Sequence, residues 1–135
     1  MRRYLLDTGI AGDFINRRHG VYERARRTVA DGHRIGIGIP VLAELHYGVE
    51  YSQSAERNRV LLRRALAELI LWPLTEEAAE IYGRVRADLR RAGVIIQRVD
   101  LMVAAIALSV SHCIVVSSDN DLRVVPGLTV ENWAA

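Results

Sequence analysis

Four short stretches of the chain put a carboxylate where chemistry could use it: Asp7 in YLLDTG, Glu44 in VLAELH, Asp100 in VDLMVAA and Asp119 in SSDND. Read locally, the first is the Asp-Thr-Gly of an aspartic protease. Taken together the four suggest something else. Clustered carboxylates repel one another and are tolerated only when protons or a metal neutralise them. No lysine occurs anywhere in the chain. The histidines at 19, 33, 46 and 112 are scattered without metal-ligand spacing. The single cysteine, Cys113, leaves no internal disulfide and no cysteine-based zinc site. An all-oxygen ligand set suits Mg²⁺ or Mn²⁺. Such ions in carboxylate clefts typically serve phosphoryl transfer, activating water and steadying the leaving oxygen, about 3.5–4 Å apart where there are two.

Each acid also has a plainer role open to it. Asp7 and Asp100 could cap helices, and Asp119 could close an Asx-turn. Glu44 is harder to dismiss. It sits among Val41, Leu42 and Leu45, and a carboxylate on a helix expected to bury itself wants a cation. One shared cause explains four acids at one edge better than four separate ones.

The elements must bring those acids together. RRYLL reads as a short buried strand ending at Asp7, and residues 21–32 as an amphipathic helix stopped by glycine. HRIGIGIP alternates, with Ile35, Ile37 and Ile39 on one strand face and glycines on the other; Pro40 then opens a helix. A further helix runs through AERNRVLLRRALAEL and is followed by a brief extended piece, ILWPL. Thr75 is expected to cap a helix whose stripe is Ala78, Tyr82, Val85, Leu89 and Ala92, ended by Gly93. Asp100 is expected to start the helix DLMVAAIALSV, before the strand CIVVSS, a polar turn and a last strand LTVENW.

Strands alternating with helices predict an α/β domain with a mostly parallel sheet of four to five strands between helical layers. In such a sheet, strand C-termini and the helix starts that follow share one ligand-binding edge. Asp100 lacks a clear strand before it, so its place on that edge rests on less. The protease is set aside on the same grounds, since its signature belongs to nearly all-β folds.

A length of 135 residues predicts one domain, 1–135. Half the residues are hydrophobic and a quarter charged, as in ordinary globular proteins. No stretch is apolar enough to span a bilayer and no signal peptide is visible in MRRYLLDTG, so the expected location is the cytoplasm. All 18 basic residues are arginine. The planar guanidinium fork suits phosphate, although arginine-rich codon usage would give the same count. Missing lysine excludes P-loop and Schiff-base chemistry.

In this order and spacing the stretches YLLDT, IPVLAELHYGV, WPLTEEAAEIYGRVRADLRRAG, VDLMVAAIAL and VVSSDNDLRVVPGLTVENW resemble the PIN-domain ribonucleases, specifically VapC-type toxins of type II toxin–antitoxin pairs. The resemblance covers nearly the whole chain. It implies a three-layer α/β/α PIN-like fold, Mg²⁺ or Mn²⁺ as cofactor, and RNA as substrate, cut to a 5′-phosphate and a 3′-hydroxyl. It also implies a VapB-like antitoxin partner and a homodimer. Position by position, the metal-binding acids are Asp7, Glu44, Asp100 and Asp119, with Thr8 beside the first and Ser117 standing for the family's frequent threonine. Asp119 is preferred to Asp121 as fourth acid because it follows the strand directly; Asp121 remains the alternative. Gly9 departs from the asparagine or serine common at its position. Asp13 is expected to be a solvated helix residue.

An acidic cleft that takes a polyanion needs a basic rim, and Arg84, Arg91, Arg98 and Arg123 are the expected phosphate contacts, Arg98 foremost. Among residues 47–62, Tyr47, Tyr51, Val60, Leu61 and Leu62 are either partner anchors or core, with core preferred for most. A PIN-fold module that binds RNA without cutting it is the rival reading, favoured by Gly9. A haloacid dehalogenase-type phosphatase would need a second aspartate at position 9 and a lysine, and has neither.

Overall fold

The computed structural model describes residues 1–134. Its elements run β1 (Arg3–Leu6), α1 (Thr8–Asn16), α2 (Val21–Ala30), β2 (Arg34–Gly38), α3 (Ile39–Tyr51), α4 (Ala55–Leu66) and β3 (Ile70–Trp72). They continue with α5 (Glu76–Arg91), α6 (Arg98–Ser109), β4 (Cys113–Val116), a 3₁₀ turn (Asn120–Val124) and β5 (Thr129–Glu131). The five strands form one sheet in the order β3-β2-β1-β4-β5, and every pairing is parallel. The α/β prediction holds, at the upper end of the expected strand count.

Right-handed crossovers set the layers. The connections β1–β2 and β2–β3 step one way along the sheet, so α1 to α4 cover one face. The connection β3–β4 steps back, which puts α5 and α6 on the other. The packing agrees: α1 lies on α2 and α4, α3 on α4, and α5 on α6. Covered on both faces, the central strands β1, β2 and β4 are largely apolar. Leu5, Leu6, Ile37, Val115 and Val116 are fully enclosed, as are Val103 and Ile106 of α6.

Two glycines are required by geometry. A Cβ on Gly36 would run into the Ile70 carbonyl of β3, whereas one on Gly38 would meet only the tip of the Ile106 side chain at 2.7 Å. Gly93 ends α5 with φ near 79°, a conformation L side chains avoid. Thr75 caps α5 as expected, its Oγ1 accepting from Ala78 N at 3.1 Å.

Three local expectations are corrected. Ile39 is the first residue of α3 and is exposed, because β2 ends at Gly38. Ala92 is exposed at the C-cap of α5, so the buried stripe stops at Leu89. α6 starts two residues before Asp100, where the Gln97 side chain caps it by accepting from Asp100 N at 3.0 Å.

Candidate active site

Counting outward from the sheet centre, β1 leads to β2 on one side and β4 to β5 on the other. The point where the order reverses lies between β1 and β4, where open parallel sheets bind ligands beyond the strand C-termini. Asp7 follows β1 and Ser117 follows β4. The two strand ends are tied together there, Asp7 N donating to Val116 O at 3.0 Å. α6 leads back into β4, so its first turn, with Asp100, lies over the same edge.

Asp7 is the N-cap of α1, its Oδ1 accepting from Ile10 N at 2.8 Å, and it is only 6% exposed. Burial holds its carboxyl above the usual carboxylate range, and the charges of Asp119 and Asp13 add to that. The Ser117 hydroxyl and Ile10 N pull the other way. Ser117 is 1% exposed, and its Oγ accepts from Asp119 N at 3.0 Å. Its hydroxyl hydrogen has only the distant Asp119 carbonyl, 3.5 Å off, as a main-chain partner, which leaves it able to turn toward Asp7.

Asp100 occupies the third residue of α6 and is half-buried. Its pKa is pushed up to about 6, by burial first and then by the charges of Asp7, Asp119 and Asp121. Asp119 caps the 3₁₀ turn, Oδ1 accepting from Asp121 N at 2.9 Å. It therefore makes the Asx-turn and also faces the other acids. Asp119 bears on both Asp7 and Asp100, whereas Asp121 bears on Asp100 alone.

Glu44 stands apart. It is exposed on α3, where only Val41 and Val49 are fully buried, so the argument from a self-burying helix fails. It shares a depression of about 340 Å³ with Thr8, Gly12 and Arg18, next to Asp7 along the chain but not among the charges that raise Asp7 or Asp100. Asp13 is not simply solvated either: it is half-buried and 3.2 Å from His19 Nδ1.

None of the ion pairs among the described residues involves Asp7, Glu44, Asp100, Asp119 or Asp121. Repelling carboxylates without a protein cation are a donor set for a hard divalent ion. No three acidic, His or Cys side chains among the described residues are grouped so as to hold an ion by themselves.

The expected basic rim divides. Arg98 lines a cavity with Arg86 and Arg90, two arginines that sequence reading passed over. Their signal was the four-residue spacing just beside the buried stripe of α5. Arg84 is exposed outside that cavity, Arg91 pairs with Asp88 at 3.1 Å, and Arg123 donates to Val130 O at 3.4 Å. Of the anchors weighed against core, Leu62 is core. Tyr47, Tyr51 and Val60 are exposed, and the two tyrosines stack at 5.8 Å.

The pattern of the PIN domain family matches residues 4–128. Ribonuclease VapC2 of Rickettsia felis is 32% identical over 130 residues, which cover 96% of this chain and 97% of the relative. The tRNA(fMet)-specific endonuclease VapC of Shigella flexneri is 31% identical over 134 residues, covering 99% and 100%. Among solved structures, VapBC2 from Rickettsia felis bound to a DNA fragment from its promoter matches with a TM-score of 0.89 at 31% identity, over 97% of this chain and 98% of that one. DNA-bound VapBC from Salmonella typhimurium matches at 0.89 and 30%, over 98% and 99%.

Proposed function

The chain belongs to the PIN domain family and, within it, to the VapC-type ribonucleases, and from that premise we propose that it is a Mg²⁺- or Mn²⁺-dependent endoribonuclease, the toxin of a pair with a VapB-like antitoxin. The observation that carries the metal-dependent part is Asp100, held near pKa 6 by burial and by three other aspartates with no cation on the protein side. Such an arrangement costs folding free energy and is retained for what it binds.

When bound, the divalent ion supplies water activation and charge stabilisation at the phosphoryl group. The protein's own part is positional. Ile10 N and Ser117 orient the Asp7 carboxylate. Gln97 and the Asx-turn of Asp119 fix the first turn of α6 and the turn after β4, so that Asp100 and Asp119 face Asp7 across the reversal point of the sheet. Water oxygen forms a bond to phosphorus, the bond from phosphorus to the 3′ oxygen breaks, and that oxygen takes up a proton. The products are a 5′-phosphate and a 3′-hydroxyl. Glu44, on the neighbouring rim with Thr8, would be the fourth acid of the set.

The antitoxin partner is supported by the solved relatives, which are toxin–antitoxin complexes. No helix among the described residues is long and apolar enough to cross a membrane, which accords with action on cytoplasmic RNA. A homodimer through the exposed Tyr47–Tyr51 stack belongs to the same reading.

The test is digestion of a mixed cellular RNA pool by antitoxin-free protein in Mg²⁺, in Mn²⁺ and in EDTA, beside Asp7→Asn and Asp100→Asn. Discrete, metal-dependent fragments with 5′-phosphate ends, absent from both variants, are expected. Intact RNA in every condition, from folded protein that still binds RNA, would favour the non-cleaving module.

A further inference from the structure

We propose that the cavity between the C-terminal half of α5 and the first turn of α6 is a second RNA subsite, one that takes the phosphate and base of a nucleotide flanking the scissile bond. The proposal rests on the nuclease reading above. The cavity has a volume of about 590 Å³; Arg86, Arg90 and Arg98 line it together with Val94, Ile95 and Leu101.

Three arginines line the cavity, and no carboxylate does. Four arginines elsewhere are in ion pairs: Arg24 with Glu131, Arg26 with Glu68, Arg59 with Glu50 and Glu56, Arg91 with Asp88. No ion pair among the described residues engages the cavity's three. The side-chain partner of Arg86 is the Tyr82 hydroxyl, 3.3 Å away. Like charges gathered around a concavity repel, and an anion seated among them relieves the repulsion. The guanidinium fork matches phosphate oxygens two at a time.

The lining is also apolar. Ile95 is 90% exposed at the tip of the α5–α6 connection. A lone exposed isoleucine needs no explanation, but this one stands inside a basic rim. A ligand with an anionic part and a flat apolar part uses both features, and a nucleotide has them. Inorganic phosphate or an acidic side chain would use the arginines and leave the apolar wall wet.

Position decides for RNA over an acidic peptide. Arg98 and Asp100 are two residues apart on one turn, so at about 100° per residue they face opposite flanks of α6. The cavity lies on the Arg98 and Leu101 flank, and the acids lie on the other. A helix with its side chains is about 10–12 Å across. A strand with one phosphate at the acids would therefore cross the α6 N-terminus, which itself favours anions, and bring a neighbouring nucleotide into the cavity.

The experiment is titration of a short fluorescent single-stranded RNA of mixed sequence, in EDTA, over a range of salt concentrations. The proteins are wild type, Arg86→Ala/Arg90→Ala, Ile95→Ser, and Arg27→Ala/Arg34→Ala as an equal charge loss at the opposite edge of the sheet. Each single-strand phosphate contact contributes about 0.7 to the slope of log affinity against log salt. The cavity double variant is expected to lower that slope by about 0.7–1.4 and weaken binding roughly tenfold at moderate salt. Ile95→Ser should weaken binding by about fivefold with the slope unchanged, since it removes apolar area and no charge. The control pair should leave the slope in place. Equal effects from both double variants would mean diffuse attraction and overturn the subsite. So would unaltered RNA binding by the cavity variant together with lost binding of a polyglutamate peptide, which would assign the cavity to an acidic protein segment. Cleavage of the same RNA by metal-loaded wild type is scored separately. Failure of the nuclease reading appears as intact RNA with the slope difference present, and failure of the subsite as cleavage without it.

Discussion

The aspartates at this edge are destabilising where they stand. Burial and mutual charge raise Asp7 and bring Asp100 to about 6. A carboxylate whose pKa is higher in the folded than in the unfolded state holds extra protons when folded. Metal-free protein should therefore gain stability as pH falls from about 7 toward 5, and lose it again as pH rises through about 6. Thermal melting in EDTA at pH 5 and pH 7.5 checks this, and Asp100→Asn should flatten most of the difference. Asp7→Asn keeps a capping side chain while removing a buried charge, so without metal it should melt at or above the wild-type temperature. A clear drop in melting temperature would make Asp7 a structural residue. Gly9 gives a second residue-scale prediction. A Cβ there would lie 3.8 Å from Asp7 Oδ1, an ordinary contact. Gly9→Ser should fit, add about 0.5 kcal/mol through helix propensity, and tighten Mn²⁺ binding by supporting Asp7; weaker binding would show that the glycine is needed. Residue type and spacing made Asp7, Asp100 and Asp119 candidates, and the structure brings them to one edge of the sheet. Their coupling could not, because it depends on the burial of Ser117 and Asp7 at adjoining strand ends.

At the scale of elements, the site depends on where α6 lies against β4 and α3. Gly38 leaves room for the tip of the Ile106 side chain of α6, which a Cβ would press on at 2.7 Å. Gly38→Ala should cost about 1–3 kcal/mol by overpacking, read from urea unfolding. By shifting α6 it should also lower cleavage. Unchanged cleavage would detach the position of α6 from catalysis. Helices and strands with caps and clear periodicity were legible in the chain: α5 with Thr75 and Gly93 is where its pattern places it. Boundaries set by a side chain that does not look like a cap were not. Gln97 starts α6 two residues early, and β2 yields to α3 at Ile39, which sequence alternation would have kept in the strand.

At the scale of the molecule, the strand order β3-β2-β1-β4-β5 puts the reversal point between β1 and β4 and makes one edge the place for chemistry. Alternating helices and strands announced a parallel sheet, but strand order is a tertiary property. A strand as short as Ile70–Trp72 carries too little pattern to reveal its neighbour. Surface roles were hidden for the same reason. The sequence leaves Tyr47 and Tyr51 open as anchors or core, but α3 buries only Val41 and Val49, and Arg86 and Arg90 gain meaning only from Arg98 of α6 beside them. The central claim is that Asp7, Asp100 and Asp119, separate in sequence, act as one divalent-metal centre. The most direct measurement is a Mn²⁺ titration of metal-free protein followed by electron paramagnetic resonance at pH 7.5. The account predicts saturable binding that is lost in Asp7→Asn and in Asp100→Asn and kept in Asp88→Asn, whose exposed carboxylate lies on α5. It also predicts that binding weakens as pH falls through about 6, where protons compete for Asp100. Mn²⁺ binding that is unchanged in both site variants, or absent from the wild type, would contradict it.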